Sequence, residues 1–524
     1  MKKNGLTSAV IAGIAGVAGF GSIADAVNLN PDGLGQVLIY PYYTTQEGND
    51  TLISVVNTAD VAKAVKVRFL EGRNSREVLD FHLYLSAYDV WTGGIFSIPE
   101  GATGYPGAGV YTRDRSCTVP DIVTATADGQ SIGDIGGTKY AVFVNWAYAD
   151  LDPGPDGVER TREGYIEMIE MADIVGAAAG WVTHGASGVP ANCAAAVGAW
   201  APGGTGWPAA GQAAPNGQGA LFGNAMIVNA ARGTVAGYAA DAIEGFNYGL
   251  LHFEPGNVEP NLNDVNDPGF DTTQATAYVF EFGQLITSTY PEVAAGGFGR
   301  VDAISALYAT PRVINEYYLD GNDTVRGATE WVITFPTKRF YVDDNPYIID
   351  VTGTVGVYNP DAPVAPFRNA FRAGGSCEGI RVRLFNREER TPAGGSVGFS
   401  PPRPGTPQNS LCWEAQVVTF GQGDNVTSNS PSSILGSTYF NNITPPFDAG
   451  WAQIEFGTAA GGSFTVPTMR PSLEGNVFRG LPVTGFFAAN YDNGVSSADV
   501  LANYTALFRH RTVRDCVNGS TVCS

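Results

Sequence analysis

Residues 152–163 hold the arrangement of oxygen-bearing side chains in this sequence that comes nearest to a cation loop. Asp152, Asp156 and Glu163 fall at the first, fifth and twelfth positions of a calcium-binding loop, with Gly157 at the sixth, where such a loop turns sharply. The third position is Gly154, which offers no side-chain oxygen, and Pro153 and Pro155 stiffen the turn, so the match to structural calcium is partial. A second oxygen-rich stretch carries Glu259, Asn261, Asn263, Asp264, Asn266 and Asp267, although Asp and Asn are also ordinary turn formers. No other cofactor is indicated, since the chain has no G-x-x-x-x-G-K phosphate loop and no C-x-x-C-H haem motif.

Nucleophilic chemistry finds little support. Gly129-Gln130-Ser131-Ile132-Gly133 matches G-x-S-x-G, but a nucleophile elbow needs a helix after the serine, and a strand-like run at 140–146 follows instead. The segment reads as a turn between strands. His82, His184, His252 and His510 show neither H-x-H nor H-x-x-x-H spacing, so no local zinc site is visible. His82 falls on the polar side of an alternating strand and is expected to be solvated or at a sheet edge. A glycosidase needs two carboxylates across a cleft, and 51 acidic residues make a pair impossible to select by sequence. Trp91, Trp331 and Trp451 lie in apolar strands and are expected in the core rather than on a sugar-stacking surface. The alternating run at 381–390 mixes charge signs and reads as a strand with a solvated face. No catalytic constellation emerges, and the expectation is a non-enzymatic protein.

The elements that would position these groups read mainly as β. Residues 36–40, 51–57, 64–70 and 78–85 are strand-like. In 64–70, Val65, Val67 and Phe69 alternate with Lys66 and Arg68, which predicts one buried and one polar face. Turn formers at 47–50 and 71–74 separate the runs. Residues 451–456, 482–487 and 504–509 read the same way. This pattern predicts antiparallel β-sandwich domains of immunoglobulin-like type with a few short helices. The helix candidates are 301–308 and 191–200, the latter with Asn192 near its start, while 163–174 is ambiguous between strand and helix. Residues 201–219 and 400–409 read as Gly/Pro-rich loops. Two organisations stay open: residues 27–97 and 446–524 forming one sandwich around an inserted β-rich region at 98–445, or sequential β domains.

Residues 1–26 read as a secretory signal peptide. Lys2 and Lys3 precede an apolar run at 6–20, and Ala24-Asp25-Ala26 supplies the small residues of a cleavage site before Val27. No later segment reaches the ~18 uninterrupted apolar residues of a membrane span, so none is expected after cleavage. In a chain bound for an oxidising space, Cys117, Cys193, Cys377, Cys412, Cys516 and Cys523 are expected as disulfides. Fifteen pairings are possible, of which neighbour pairing is the simplest. A formal net charge of −21 disfavours nucleic acid and anionic lipid as partners. Only 15% of residues are charged, so the surface must also lean on Ser, Thr, Asn, Gln and Gly.

Five stretches, 49–58, 64–81, 330–342, 411–420 and 480–488, carry a further signal. Through them the chain resembles an uncharacterised family of secreted proteins from Gram-negative proteobacteria. The resemblance implies an exported protein of the cell envelope or surface and transfers no site residue. The expected function is therefore structural or adhesive, at the cell surface, outside the cell or in the periplasm. Other envelope components, further copies of the chain or glycans are its expected partners. The alternative is a carbohydrate-binding or carbohydrate-cleaving protein. Exposed aromatics beside two carboxylates in one cleft would favour that alternative, and wholly buried tryptophans the structural reading.

Overall fold

The computed structural model describes residues 26–98, 107–122, 132–135, 138–201, 207, 211–264, 274–281, 283–291, 299–319, 326–343, 363–392, 409–421, 431–460, 463–492 and 503–523. The leader at 1–25, Gly129 to Ser131 of the G-x-S-x-G motif, and 400–408 of the second loop lie outside them. The protein is mainly β, with several mixed sheets and a few short helices.

The first half of the chain supplies two large sheets. Ten strands form one, in the order Gln284–Pro291, Gln274–Glu281, Ala26–Leu29, Asp241–Glu244, Val37–Thr44, Glu163–Ile174, Ala62–Glu71, Glu77–Leu85 and Cys117–Val119, with Ala213–Ala214 beside Glu163–Ile174. Ala26–Leu29 pairs in parallel with Gln274–Glu281, and the other pairings are antiparallel. The second sheet has seven strands and centres on Asn49–Asn57, flanked by Leu221–Asn229 and Val90–Ile98. Val65, Val67, Phe69, Phe81, Leu83 and Met168 from the first sheet meet Ile53, Val55, Trp91 and Ile95 from the second in one buried cluster. These are the apolar sides of the alternating strands, buried as the period-two pattern requires. The ambiguous segment at 163–174 is a strand, twelve residues long and central to the first sheet.

The second half forms two five-stranded sheets. Glu378–Asn386, Ala449–Phe456 and Arg312–Tyr318 make the centre of one; Ala415–Phe420, Arg326–Thr334 and Phe486–Asp492 make the centre of the other. Hydrogen-bonded strand pairing is local to each half. Strands within 26–98 pair with partners between 26 and 291, and those within 446–524 with partners between 309 and 522. The two halves still meet through side chains: Thr334 Oγ1 donates to Pro41 O, Thr484 Oγ1 to Asp241, and Arg509 pairs with Asp241 at 2.7 Å.

Both helix candidates form, and Gly176–Val182 and Arg339–Val342 are helices that the sequence reading did not place. Gly299–Tyr308 packs Val301, Ile304 and Leu307 into the core, and Asn192 caps Cys193–Gly198 by accepting the Ala195 N–H. The disulfides follow neighbour order: Cys117–Cys193, Cys377–Cys412 and Cys516–Cys523.

The expected solvated face is the main departure. Lys63, Lys66, Arg68 and His82 are at most 1% exposed. The side of the first sheet that carries them is covered by the second half and by loops, so its charges are buried and paired. Trp451 also departs from expectation. It is 39% exposed and stacks on Phe385 at 4.1 Å, while Trp91 and Trp331 are fully buried.

Candidate functional site

Burying charge is costly unless it is paired, and this face pairs almost all of it. Lys63 reaches Glu170 and Asp173, each at 2.6 Å; Lys66 pairs with Asp80; Arg68 holds Glu77 and Glu167, each at 2.6 Å. Arg160 bridges Glu71 at 2.8 Å and Asp152 at 2.9 Å, and Arg76 pairs with Asp343 at 2.8 Å. Burial pushes the Glu170 carboxyl up to about 8, against the opposing pull of Lys63.

The calcium-loop residues are drawn into this lattice separately. Asp152 accepts from both terminal nitrogens of Arg160 and from Gly154 N. Burial opposes its ionisation, but Arg160 outweighs burial and holds the carboxyl below its usual range. Asp156 is exposed, its carboxylate accepting the Asp150 N–H and its backbone O the Asn145 Nδ2. Glu163 is buried elsewhere. Its Oε1 accepts from Thr438 N and Oγ1, and its Oε2 from Tyr42 Oη and Ser437 Oγ. Each carboxylate is satisfied by a different set of donors, so the three do not converge. Among the described residues, no group of three or more His, Cys, Asp or Glu side chains is placed to hold a metal ion.

The histidines are equally committed to structure. His184 Nδ1 faces both Ser86 Oγ at 2.9 Å and Asp89 Oδ2 at 3.3 Å. A triad needs serine and carboxylate on opposite ring nitrogens, so this cluster is not one. His252 bonds Tyr84 Oη, and His510 sits between Val332 O and Asn315 Nδ2. His82 is buried beside Trp200 and His252, not solvated.

A cavity of about 300 Å³ opens along this charged face, where the two halves meet. Arg68, Arg76 and Glu77 come from the first sheet and the turn before Glu77; Arg339, Phe340 and Asp343 come from the short helix Arg339–Val342 and its end. Trp146 and Ala147 line it after the strand Thr138–Val142, and Gly256, Val258, Glu259, Asn261, Asn263 and Asp264 complete the wall. Its volume is at the small end of the range for ligand pockets, about 300–1,000 Å³. Trp146, at 59% exposed, presents an aromatic surface to solvent.

The cavity's charges divide into spent and available groups. Arg68 is engaged by Glu77 and Glu167, and Arg76 by Asp343. Burial works against the Glu77 carboxyl, but Arg68 and then Lys66 outweigh it and keep it below its usual range. Arg339 differs. Its Nη1 donates to Ser75 O at 2.7 Å, and no carboxylate of the described residues lies within ion-pair distance. Opposite in chemistry are Glu259 and Asp264. Burial, with Glu259 alongside, pushes the Asp264 carboxyl up to about 7, and burial also raises Glu259. The second oxygen-rich stretch thus builds a cavity wall instead of a cation loop; Asn266 and Asp267 lie outside the described residues.

A larger hollow, about 760 Å³, lies over the seven-stranded sheet between Leu52, Gly93, Gly94, Met226 and Gly237. Arg113 is the one charged residue that lines it, beside the neutral polar side chains of Ser54, Thr92, Tyr111, Thr112 and Asn224.

No family model, curated protein or solved structure matches this chain.

Proposed function

We propose that the chain is an exported protein of the cell envelope or surface, and that it acts by holding a saccharide and not by transforming it. Adhesion through a bound glycan joins the structural and carbohydrate readings of the sequence in one role. The observation that carries this reading is the cavity at the meeting of the halves, where half-exposed Trp146 stands beside Glu259, Asp264, Asn261 and Asn263. An aromatic ring covers the C–H face of a sugar, while carboxyl and amide groups exchange hydrogen bonds with its hydroxyls. Two of the cavity's other carboxylates, Glu77 and Asp343, are held by arginines, which suits binding better than proton transfer.

Export is supported by the leader-like residues 1–26 and by three disulfides, which persist in oxidising compartments. No helix among the described residues is long and apolar enough to cross a membrane. The immunoglobulin-like sandwich belongs to the same reading, supported by two sheets of the first half facing across one buried cluster. Protease shaving of intact cells, with mass spectrometry of the released peptides, tests the location; surface peptides are expected, and their absence would remove the surface role. A glycan array probed with the oxidised protein and with Trp146→Ala tests the activity. Binding that the substitution abolishes is expected, and an empty array would overturn the saccharide reading.

A further inference from the structure

Arg339 is the cavity-lining arginine that the protein leaves without a carboxylate. Ser75 O takes one of its N–H groups, and the backbone N–H of the same residue donates to Glu414. Nε and Nη2 have no hydrogen-bond partner among the described residues and are not fully occluded, on a side chain that is half-buried in the cavity wall. Arg76, by contrast, is committed to the protein on both sides, its Nε lying 3.9 Å from Asp152 Oδ2 and its Nη2 pairing with Asp343 at 2.8 Å. Arg339 is thus set apart from Arg68 and Arg76, the other arginines that line the cavity, each of which is paired with carboxylates of the protein.

We infer that the cavity takes an acidic sugar, a hexuronate or a similarly sized carboxylated saccharide, with the carboxylate on Arg339, the ring on Trp146 and the hydroxyls on Glu259, Asp264, Asn261 and Asn263. This inference rests on the saccharide reading and specifies the ligand within it. A planar guanidinium with two free N–H directions matches a carboxylate in a bidentate pair, which an ammonium could not reproduce. Burial, followed by the positive charge of Arg68, lowers Arg339 from its ordinary range despite the opposing charges of Glu167 and Glu77, and a bound carboxylate would add to that opposing pull. The opposite wall suits the rest of such a ligand. With its carboxyl raised to about 7, Asp264 can be protonated near neutrality, so it can donate to or accept from a hydroxyl with little repulsion of the ligand's charge. A neutral sugar could offer Arg339 a hydroxyl oxygen as acceptor but no negative charge to pair with the guanidinium. A simple inorganic anion would use Arg339 but leave Trp146 and the polar wall idle.

Isothermal titration with galacturonic acid tetrasaccharide and with the matching galactose tetrasaccharide separates these cases, using the disulfide-bonded full chain. The acidic probe is expected to bind about tenfold more tightly. In Arg339→Gln the two affinities should become equal, and in Trp146→Ala both should fall. Inorganic phosphate, as a third probe, should bind more weakly than the acidic saccharide. Equal affinities in the unmodified protein, or phosphate competing as well as the saccharide, would overturn the acidic-sugar inference and leave the saccharide reading standing. If neither tetrasaccharide bound, both would fall. The preference measured in the unmodified chain decides the matter even if Arg339→Gln does not fold.

Discussion

Two buried glutamates receive four hydrogen bonds each, all four of Glu330's and three of Glu163's coming from the segment 432–438, yet they should respond very differently to the same substitution. Glu330 Oε1 accepts from Ile434 N at 2.8 Å and Ser433 Oγ at 3.2 Å; Oε2 accepts from Leu435 N at 2.9 Å and Ser432 Oγ at 3.0 Å. Each oxygen thus faces a backbone N–H, which cannot reverse. In Glu330→Gln the new amide NH2 meets one of these N–H groups whichever way the side chain is turned. A charge-assisted bond worth about 1.5–3 kcal/mol is lost and a buried donor is left unmet at about 1–3 kcal/mol, so the net loss should be about 3 kcal/mol. Glu163 faces backbone N–H on Oε1 only, at 2.8 Å from Thr438 N; Oε2 faces two hydroxyls, Tyr42 Oη at 2.8 Å and Ser437 Oγ at 2.5 Å. Hydroxyls can accept as well as donate, so Glu163→Gln can aim its NH2 at them and should lose only about 1 kcal/mol. Urea unfolding with the disulfides intact reads both. At a slope of about 3 kcal/mol/M, the midpoint should fall by about 1 M for Glu330→Gln and by about 0.3 M for Glu163→Gln. Equal shifts, or the reverse order, would refute the reasoning that donor reversibility sets the cost.

Burial pushes the His510 imidazole down to about 4. The fold therefore holds it neutral, and its contribution is complete above the ordinary histidine range near 6.5 and lost as pH falls through about 4, on the order of 3 kcal/mol. Its ring-proton NMR shifts should stay constant from pH 7 to 5; a titration centred near 6.5 would contradict this. At Gly223 an added Cβ would lie 1.8 Å from Tyr40 Oη, which donates to Ser54 O at 2.7 Å. Gly223→Ala should therefore break that bond, shift both sheets locally and cost about 2–4 kcal/mol in thermal unfolding; an unchanged midpoint would show that the ring simply moves aside. Export predicts that protein recovered outside the cytoplasm begins at Val27. Val27 is fully buried in the strand Ala26–Leu29, so N-terminal sequencing should find the leader removed just inside the first strand, and a start at Met1 would count against export.

Much of the fold was legible because strand alternation is a local property. Val65, Val67 and Phe69 announced a buried face, and they have one. What alternation does not encode is what covers the other face. Lys66 and Arg68 read as solvated, yet Asp80, Glu77 and Glu167 neutralise them beneath the second half of the chain. Those partners come from strands paired beside them in the sheet, and sequence spacing alone cannot give that register. Trp451 shows the converse: an apolar strand context implied core, but its ring lies on Phe385 at the surface. The candidate site was half legible. Its wall at 259–264 stood out as oxygen-rich, but Trp146, Arg339 and Phe340 join it from distant positions and carried no local signal. Asp152 and Glu163 illustrate the limit of spacing. Their positions imitate a cation loop, while the hydrogen-bond donors that claim them, Arg160 and the segment around Ser437, lie outside the motif's own pattern of ligands. Nearest-neighbour cysteine pairing succeeded because each pair lies in one half, where chain proximity and spatial proximity coincide.

The central claim is that the cavity beside Trp146 holds a saccharide, and oxidative footprinting of tryptophan tests it most directly. Trp146 is 59% exposed in the cavity wall and Trp451 is 39% exposed at the remote Phe385 stack, so one chain supplies both probe and control. With galacturonic acid tetrasaccharide present, oxidation at Trp146 should fall while oxidation at Trp451 stays the same. Unchanged oxidation at Trp146 at saturating saccharide, or equal protection of both rings, would contradict the account.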